Sequence, residues 1–381
     1  MSDLLDPTGD DLVRIRASRF EVSPFLEFHT SPGARFGVYA NRLFPLRGSS
    51  EQEYWCLRKQ SVLYDVPEKP IQVQGPDCVA FLERVFSRTV ADLKEGRGRY
   101  AIACTDSGGV FMDGILFRLS EDKFWYVQAD GDLETWLLAH SVDFDVEVSD
   151  PHSWVLQVQG PTSLKVLEAA TQGAVNTEMG YFHAGFFEIG GQQVYVSRTG
   201  WTGEFGFEIY TQGDSTDYPK LWQTLVSAGE PQGMVVGYGG SMDARRIEAG
   251  ILNNGTDMDR SMTPFEAGLG AFIDFGNPGF IGRDALLAAP RETRLLGVVC
   301  PGNTPASGWK VLDSGNVVGR VRTGDWSPTL ESGIGYVEFE HASDWVGQTL
   351  EIQSQSGDRY PCEIVDLPFF DREKRLPRGL A

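Results

Sequence analysis

Apolar and polar residues alternate strictly over Ile71-Gln72-Val73-Gln74, which predicts a half-buried strand, and Gly75-Pro76 ends it. Residues 77–85 then carry apolar positions at helical spacing. The same pattern returns 85 residues later as Leu156-Gln157-Val158-Gln159-Gly160-Pro161, followed by a second short amphipathic helix over 162–170. Leu82-Glu83 and Leu167-Glu168 fall at matching places. Each predicted helix precedes three runs rich in β-branched and aromatic residues: 99–105, 110–119 and 124–128 in the first unit, 180–189, 193–198 and 205–210 in the second. A helix closes each unit, over 133–141 and 218–228. The chain therefore reads as two related α+β units.

The pattern changes after residue 293. Short alternating runs at 294–300, 317–323, 334–338, 349–353 and 360–365 are separated by Gly, Ser and Asp, which predicts a small β-barrel or sandwich. Between the parts, 242–250 has helical spacing and 280–286 reads as a turn entering a helix. The resulting division is an N-terminal segment (1–50) packing on the first unit, a first α+β unit (51–145), a second (146–290), and a barrel-like C-terminal domain (291–381).

Composition narrows the function. The 381 residues carry a net charge of −20, which repels nucleic acid and anionic membrane surfaces. No apolar run reaches the roughly 18 residues of a membrane span. Residues 1–16 lack the basic and apolar regions of a secretory signal. Five scattered cysteines without CxxC spacing support neither a disulfide framework nor a zinc site. These features predict a reduced, cytoplasmic, metal-free protein. The GxSxG, Walker and HExxH patterns are absent, and Gly237-Tyr238-Gly239-Gly240 lacks the spacing of a dinucleotide loop.

Two segments are unusual. One runs from Tyr100 to Asp113. The other is Arg198-Thr199-Gly200-Trp201-Thr202-Gly203-Glu204-Phe205-Gly206-Phe207-Glu208. Glycines let backbone approach a ligand closely, and a Glu ending such a loop accepts paired hydrogen bonds from an amidine-like edge. The competing reading is a Gly-rich hairpin with a solvated Glu.

Together with Arg246-Ile247-Glu248-Ala249-Gly250-Ile251, Gly255-Thr256-Asp257-Met258-Asp259, Thr263 to Gly270 and Phe280 to Leu286, these segments resemble the glycine-cleavage T-protein (aminomethyltransferase) family, in order and spacing. The resemblance implies a three-domain cloverleaf of two related ferredoxin-like α+β domains and a C-terminal β-barrel-like domain, with tetrahydrofolate in a central channel. It assigns the pterin-gripping carboxylate to Glu208, an aromatic wall to Trp201, a strand tyrosine to Tyr100, and the acidic residue near the reactive folate nitrogens to Asp113. Gln128, Asp130 and Arg198 complete the implied cofactor-binding set.

Departures from the aminomethyltransferase pattern are visible. Met112 precedes Asp113 where that pattern has two Asp, Pro67-Glu68 follows Asp65-Val66 where it has Ser-His, and Met242 replaces an Arg. Val38-Tyr39, Ala129-Asp130-Gly131-Asp132, Trp201, Trp326-Ser327-Pro328 and Asp366-Leu367-Pro368-Phe369 resemble the neighbouring tetrahydrofolate-dependent demethylases. That branch implies methyl transfer from a small onium or methoxy donor to N5 of tetrahydrofolate, with no carrier protein. Tyr39, Trp201 and Tyr181 are then candidate donor-binding rings, since aromatic faces attract cations. The alternatives are aminomethyl transfer from a lipoyl carrier protein, and a non-enzymatic folate-binding protein. The Lys-Gly-Cys-Tyr type of motif carried by the family's non-enzymatic branch is absent.

Overall fold

The computed structural model describes residues 16–30, 34–46 and 50–380. The sequence echo becomes two sheets of one plan. Lys69–Gln74 lies beside Lys123–Gln128, followed outward by Val110–Ser120 and Arg97–Cys104. In the second sheet Val155–Gln159 lies beside Gly206–Tyr210, then Gln192–Ser197 and Ala184–Ile189. The helices Cys78–Val85 and Ser163–Ala170 occupy matching places. The turn glycines before them are required: Gly75 and Gly160 have φ of +140° and +118°, and a Cβ on either would lie 2.4 Å from a backbone oxygen.

The two units also trade strands. Val62–Val66 falls within the first unit as divided (51–145) but pairs with Val155–Gln159 of the second. Glu147–Ser149 falls within the second (146–290) but pairs with Lys69–Gln74 of the first. The registers correspond: Tyr64 faces Gln157, and Ser149 faces Gln72. A cut at 145/146 thus leaves one strand of each unit in the other's sheet. The two sheets share a core containing Tyr64, Phe117, Trp125, Val127, Tyr195 and Tyr210.

The N-terminal segment, expected on the first unit, packs on the second as well. Phe25 meets Tyr218 and Trp222 of the helix Tyr218–Gly229. Arg42, nearly fully buried, donates to the carbonyls of Glu68 and Ser153 at 2.6 and 2.9 Å and lies over Trp154. The reason is chemical: a buried guanidinium needs many acceptors, and Arg42 finds them in Glu21 of its own segment and in the two carbonyls at the seam between the units.

The C-terminal domain is a closed six-stranded barrel, in the order Leu295–Cys300, Ser332–Phe339, Asn316–Ser327, Lys310–Asp313, Thr349–Gln353, Arg359–Val365. Lys310–Asp313 runs polar, apolar, apolar, polar and so shows no alternation, and this strand was not expected. Asn316–Ser327 is longer than its apolar run because a bulge between Val321 and Thr323 carries it through Arg322 to Asp325. Barrel residues Leu295, Ile334 and Tyr336 join Ile102, Ile247 and Phe265 in one core, which fixes the barrel against the first two units. Among the described residues no helix is long and apolar enough to cross a membrane.

Candidate active site

A cavity of about 660 Å³ lies where the three parts meet. Its lining draws on both sheets (Tyr100, Asp113, Glu208), on the loop after the helix Gly240–Glu248 (Gly250 to Asn253), on the barrel (Leu295, Leu296) and on the C-terminal segment (Lys374, Arg378).

Glu208 is placed by strand register. It pairs with Gln157 on one side and Ser197 on the other, in a polar row that crosses the second sheet. Oε2 accepts from Thr199 Oγ1 at 2.5 Å and Tyr210 OH at 2.7 Å, with Ser197 Oγ at 3.4 Å, while Oε1 accepts from Gln157 Nε2 at 3.0 Å. A carboxylate has about four acceptor positions. Three strong donors therefore leave one open, on Oε1. Burial raises the Glu208 pKa, and its hydroxyl donors oppose that rise.

Tyr100 and Asp113 stand diagonally on neighbouring strands, because Ile102 pairs with Asp113. Tyr100 OH donates to Asp113 Oδ2 at 2.8 Å, and Asp113 Oδ1, also buried, has no partner. Burial lifts the Asp113 carboxyl to about 6 against the opposing Tyr100 hydrogen bond. The Tyr100 ring packs edge-on against Phe272.

Of the other residues singled out in the sequence, Trp201, Tyr39, Tyr181 and Gln128 line the cavity. Tyr39 OH donates to Asn253 Oδ1 at 3.3 Å, and the Arg246 guanidinium lies 5.1 Å from the Trp201 ring. The Gln128 amide is occupied locally, with Nε2 on Gly131 O and Oε1 on Leu133 N. Asp130 and Arg198 are not brought to the lining. Asp130 Oδ1 takes the backbone N–H groups of Ala40 and Gly131, tying down the N-terminal sheet. Arg198 donates to Pro377 O and lies 3.9 Å over Phe205, which anchors the C-terminal segment.

Gly200 and Gly203 of the Gly-rich loop line the cavity, and the loop is also packed closely against protein. A Cβ on Gly200 or Gly206 would lie 2.1 or 2.4 Å from the Gln159 amide, and one on Gly203, at φ +68°, 2.3 Å from Ala249. These glycines make room for protein. Glu204 is neither solvated nor a ligand group: it is buried between Arg58 and Arg245, the latter at 2.9 Å. Arg245 also pairs with Glu248, so the loop is locked to the helix Gly240–Glu248. In the same way Arg246 pairs with Asp257, joining two of the motifs noted in the sequence.

Sequence reasoning missed Glu68 as a cavity residue. It lines the cavity and is bridged to Glu208 through one amide, since Gln157 Nε2 donates to Glu68 Oε2 at 3.2 Å as well. Burial raises its pKa, and the neighbouring Glu208 charge raises it further. The only sequence signal was its departure from Ser-His. Lys374 and Arg378 were missed because nothing in the sequence says that the C-terminal segment folds back over the cavity.

Comparison with known proteins follows this geometry. Residues 25–277 match the GCVT N-terminal domain, and residues 293–371 the glycine cleavage T-protein C-terminal barrel domain. The aminomethyltransferase of Halothermothrix orenii is 32% identical over 360 residues, covering 91% of this chain and 99% of the relative. That of Streptomyces avermitilis is 34% identical over 364 residues, covering 91% and 96%. The crystal structure of the glycine cleavage system aminomethyltransferase T from Bartonella henselae superposes with a TM-score of 0.82 at 26% identity, covering 92% of this chain and 98% of that one. The chain belongs to the glycine cleavage T-protein family.

Proposed function

We propose that this chain transfers a one-carbon unit to tetrahydrofolate held in the central cavity. The observation that carries the reading is the open acceptor position on buried Glu208, matched to the N–H edge of a 2-aminopterin. Family membership makes the chain a folate-dependent one-carbon transferase. Reduced folate bound there supplies N5, a nitrogen nucleophile. The protein's part is to hold and to protect. Glu208 fixes the pterin edge. Tyr100 orients Asp113, whose free Oδ1 receives the proton released at nitrogen. Trp201, Tyr181 and Phe272 line the cavity with rings that keep water away.

Two carbon donors are in question. Aminomethyl transfer is supported by the names of the relatives and by near-complete mutual coverage. There the donor carbon becomes a methylene bridge between two folate nitrogens, ammonia is released, and a carrier thiol is regenerated. Removal of a methyl group from a small, positively charged donor is a second reading. It is favoured by Pro67-Glu68 in place of Ser-His. In that reaction the methyl–heteroatom bond breaks, N5–CH₃ forms, and the N5 proton leaves.

The deciding experiment incubates the protein with tetrahydrofolate and either an aminomethyl-loaded lipoyl carrier or a panel of onium and methoxy donors. Methylene-tetrahydrofolate from the carrier supports the first reading, and 5-methyltetrahydrofolate from a small donor supports the second. Binding is tested separately. Glu208→Gln is expected to weaken tetrahydrofolate by about 1.5–3 kcal/mol, one charged hydrogen bond. An unchanged Kd in folded protein removes Glu208 from the site.

A further inference from the structure

Two carboxyls of the cavity wall are joined by one amide. Glu68 lies in the link between the strands Val62–Val66 and Lys69–Gln74, and Glu208 lies on Gly206–Tyr210. Gln157, on Val155–Gln159, reaches both: its Nε2 donates to Glu208 Oε1 at 3.0 Å and to Glu68 Oε2 at 3.2 Å. Among the described residues no cation pairs with either carboxyl. The cations around them are engaged elsewhere. Arg42 serves Glu21 and the carbonyls of Glu68 and Ser153, and Lys69 pairs with Glu21 and Asp150. Arg246 pairs with Asp243 and Asp257, and His29 meets Asp65 at 3.0 Å. Lys374, Arg378 and Asp113 line the same cavity, the last held by Tyr100. The phenols of Tyr39 and Tyr210 are kept neutral by burial and by nearby carboxylate charge.

The two carboxyls are not equivalent. Glu208 also accepts from the hydroxyls of Thr199, Tyr210 and Ser197, and each such donor favours its charged form. Glu68 accepts from the amide alone. Two like charges this close disfavour double ionisation, so one proton stays on the pair. It sits on Glu68, which has fewer donors to hold a charge. Burial raises the Glu68 carboxyl and the Glu208 charge raises it further, in the same direction. Protonation also makes Glu68 a donor, and Oε1 of the same Gln157 amide is buried without a partner. A bound pterin sharpens the division. Its N–H edge adds donors to Glu208, and its ring replaces the water that an ionised Glu68 would need.

We propose that Glu68 and Glu208 hold one proton between them, and that reduced folate takes the charged Glu208 and leaves the proton on Glu68, so that binding draws a proton from solvent whenever Glu68 is ionised in the free protein. The proposal rests on the reading that the pterin edge meets Glu208. It makes Glu68 a positioning residue: as a neutral acid it lets its neighbour stay charged for the pterin. The sign follows from linkage. Folate-bound protein holds the Glu68 proton more tightly than free protein, so affinity is full at low pH and falls as pH rises through the free-state value.

The test is anaerobic calorimetry of tetrahydrofolate binding from pH 6.5 to pH 9, each pH in buffers of high and low ionisation enthalpy. The parent is expected to take up a proton on binding, rising toward one per folate as pH increases. Its affinity is expected to fall over the same range, with a limiting slope of about tenfold per pH unit for one linked proton. Glu68→Gln, which imitates the protonated acid, is expected to bind tetrahydrofolate equally at pH 7 and pH 9 and to take up no proton. Circular dichroism establishes that the variant is folded, and the parent titrations decide the matter without it. Absence of proton uptake by folate-binding parent protein overturns the proposal, as does a pH dependence that survives in Glu68→Gln, since another group then carries it. Failure of the parent to bind tetrahydrofolate at pH 6.5 sinks the folate reading instead.

Discussion

Replacing Asp113 by Asn should stabilise the protein while crippling it. Asp113 is buried, one oxygen is held by Tyr100 OH at 2.8 Å, and the other has no partner. Burial lifts its pKa from 3.8 to about 6. The folded state therefore holds this proton more tightly than the unfolded chain between about pH 4 and pH 6. Protons bound by the folded form exceed those bound by the unfolded form in that window, so stability falls as pH rises through it. At 1.36 kcal/mol per pH unit, the loss reaches about 3 kcal/mol above pH 6. Asn keeps an acceptor for Tyr100 and carries no charge, so it escapes the loss. Urea unfolding of both proteins at pH 4, 5, 6 and 7.5 isolates the effect, because all other carboxyls cancel in the difference. The Asn variant should match the parent near pH 4 and exceed it by about 1–3 kcal/mol at pH 7.5. One-carbon transfer should fall by about 10²–10⁴-fold, the range for loss of a proton acceptor. A stability difference that does not change with pH refutes the reasoning, because uncompensated charge was then never stored at this position.

Two further outcomes follow from the loop beside the cavity. Gly203→Ala forces a side chain into a left-handed backbone, with its Cβ 2.3 Å from that of Ala249, and should cost about 1–3 kcal/mol in urea unfolding; a neutral substitution would show that the loop has room to move. Glu204→Gln leaves the fully buried Arg245 with a single carboxylate and should cost about 3–5 kcal/mol, the range for breaking a buried ion pair. A loss below 1 kcal/mol would mean that Glu248 alone suffices.

Duplication was legible because Gly75 and Gly160 each take a positive φ at the same turn of the repeat, and such a backbone demand leaves its mark in sequence. Strand exchange was not. Val62–Val66 and Glu147–Ser149 were not among the predicted strands, and nothing within five or three residues states which sheet accepts them. Glu208 was singled out through its motif, whereas the packing of Glu204 was not legible, because a carboxylate in a Gly-rich loop looks the same whether water or Arg245 faces it. Asp130 and Arg198 carried the motif's spacing, yet tertiary contacts with Ala40 and Pro377 had already engaged them. Glu68 needed the structure, since its role depends on Gln157 reaching two carboxyls from a different strand.

The two units began from one pattern, and their polar rows show where they parted. Gln72 and Gln157 are the same position of the repeat. In the first sheet Gln72 faces Trp125, whose indole Nε1 donates to its Oε1 at 3.1 Å, and the row is packed shut. In the second, Gln157 faces Glu208, and its Nε2 serves that carboxylate and Glu68 together. One strand position thus decides between a filled interior and a charged wall. A carboxylate where Trp125 stands would lose the indole's apolar contacts and bury a second charge on the inner face of the paired sheets, where Tyr195 and Tyr210 already pack against the ring. The carboxylate proposed to grip the pterin therefore comes from one copy of the repeat, because the other copy fills the matching position with packed rings.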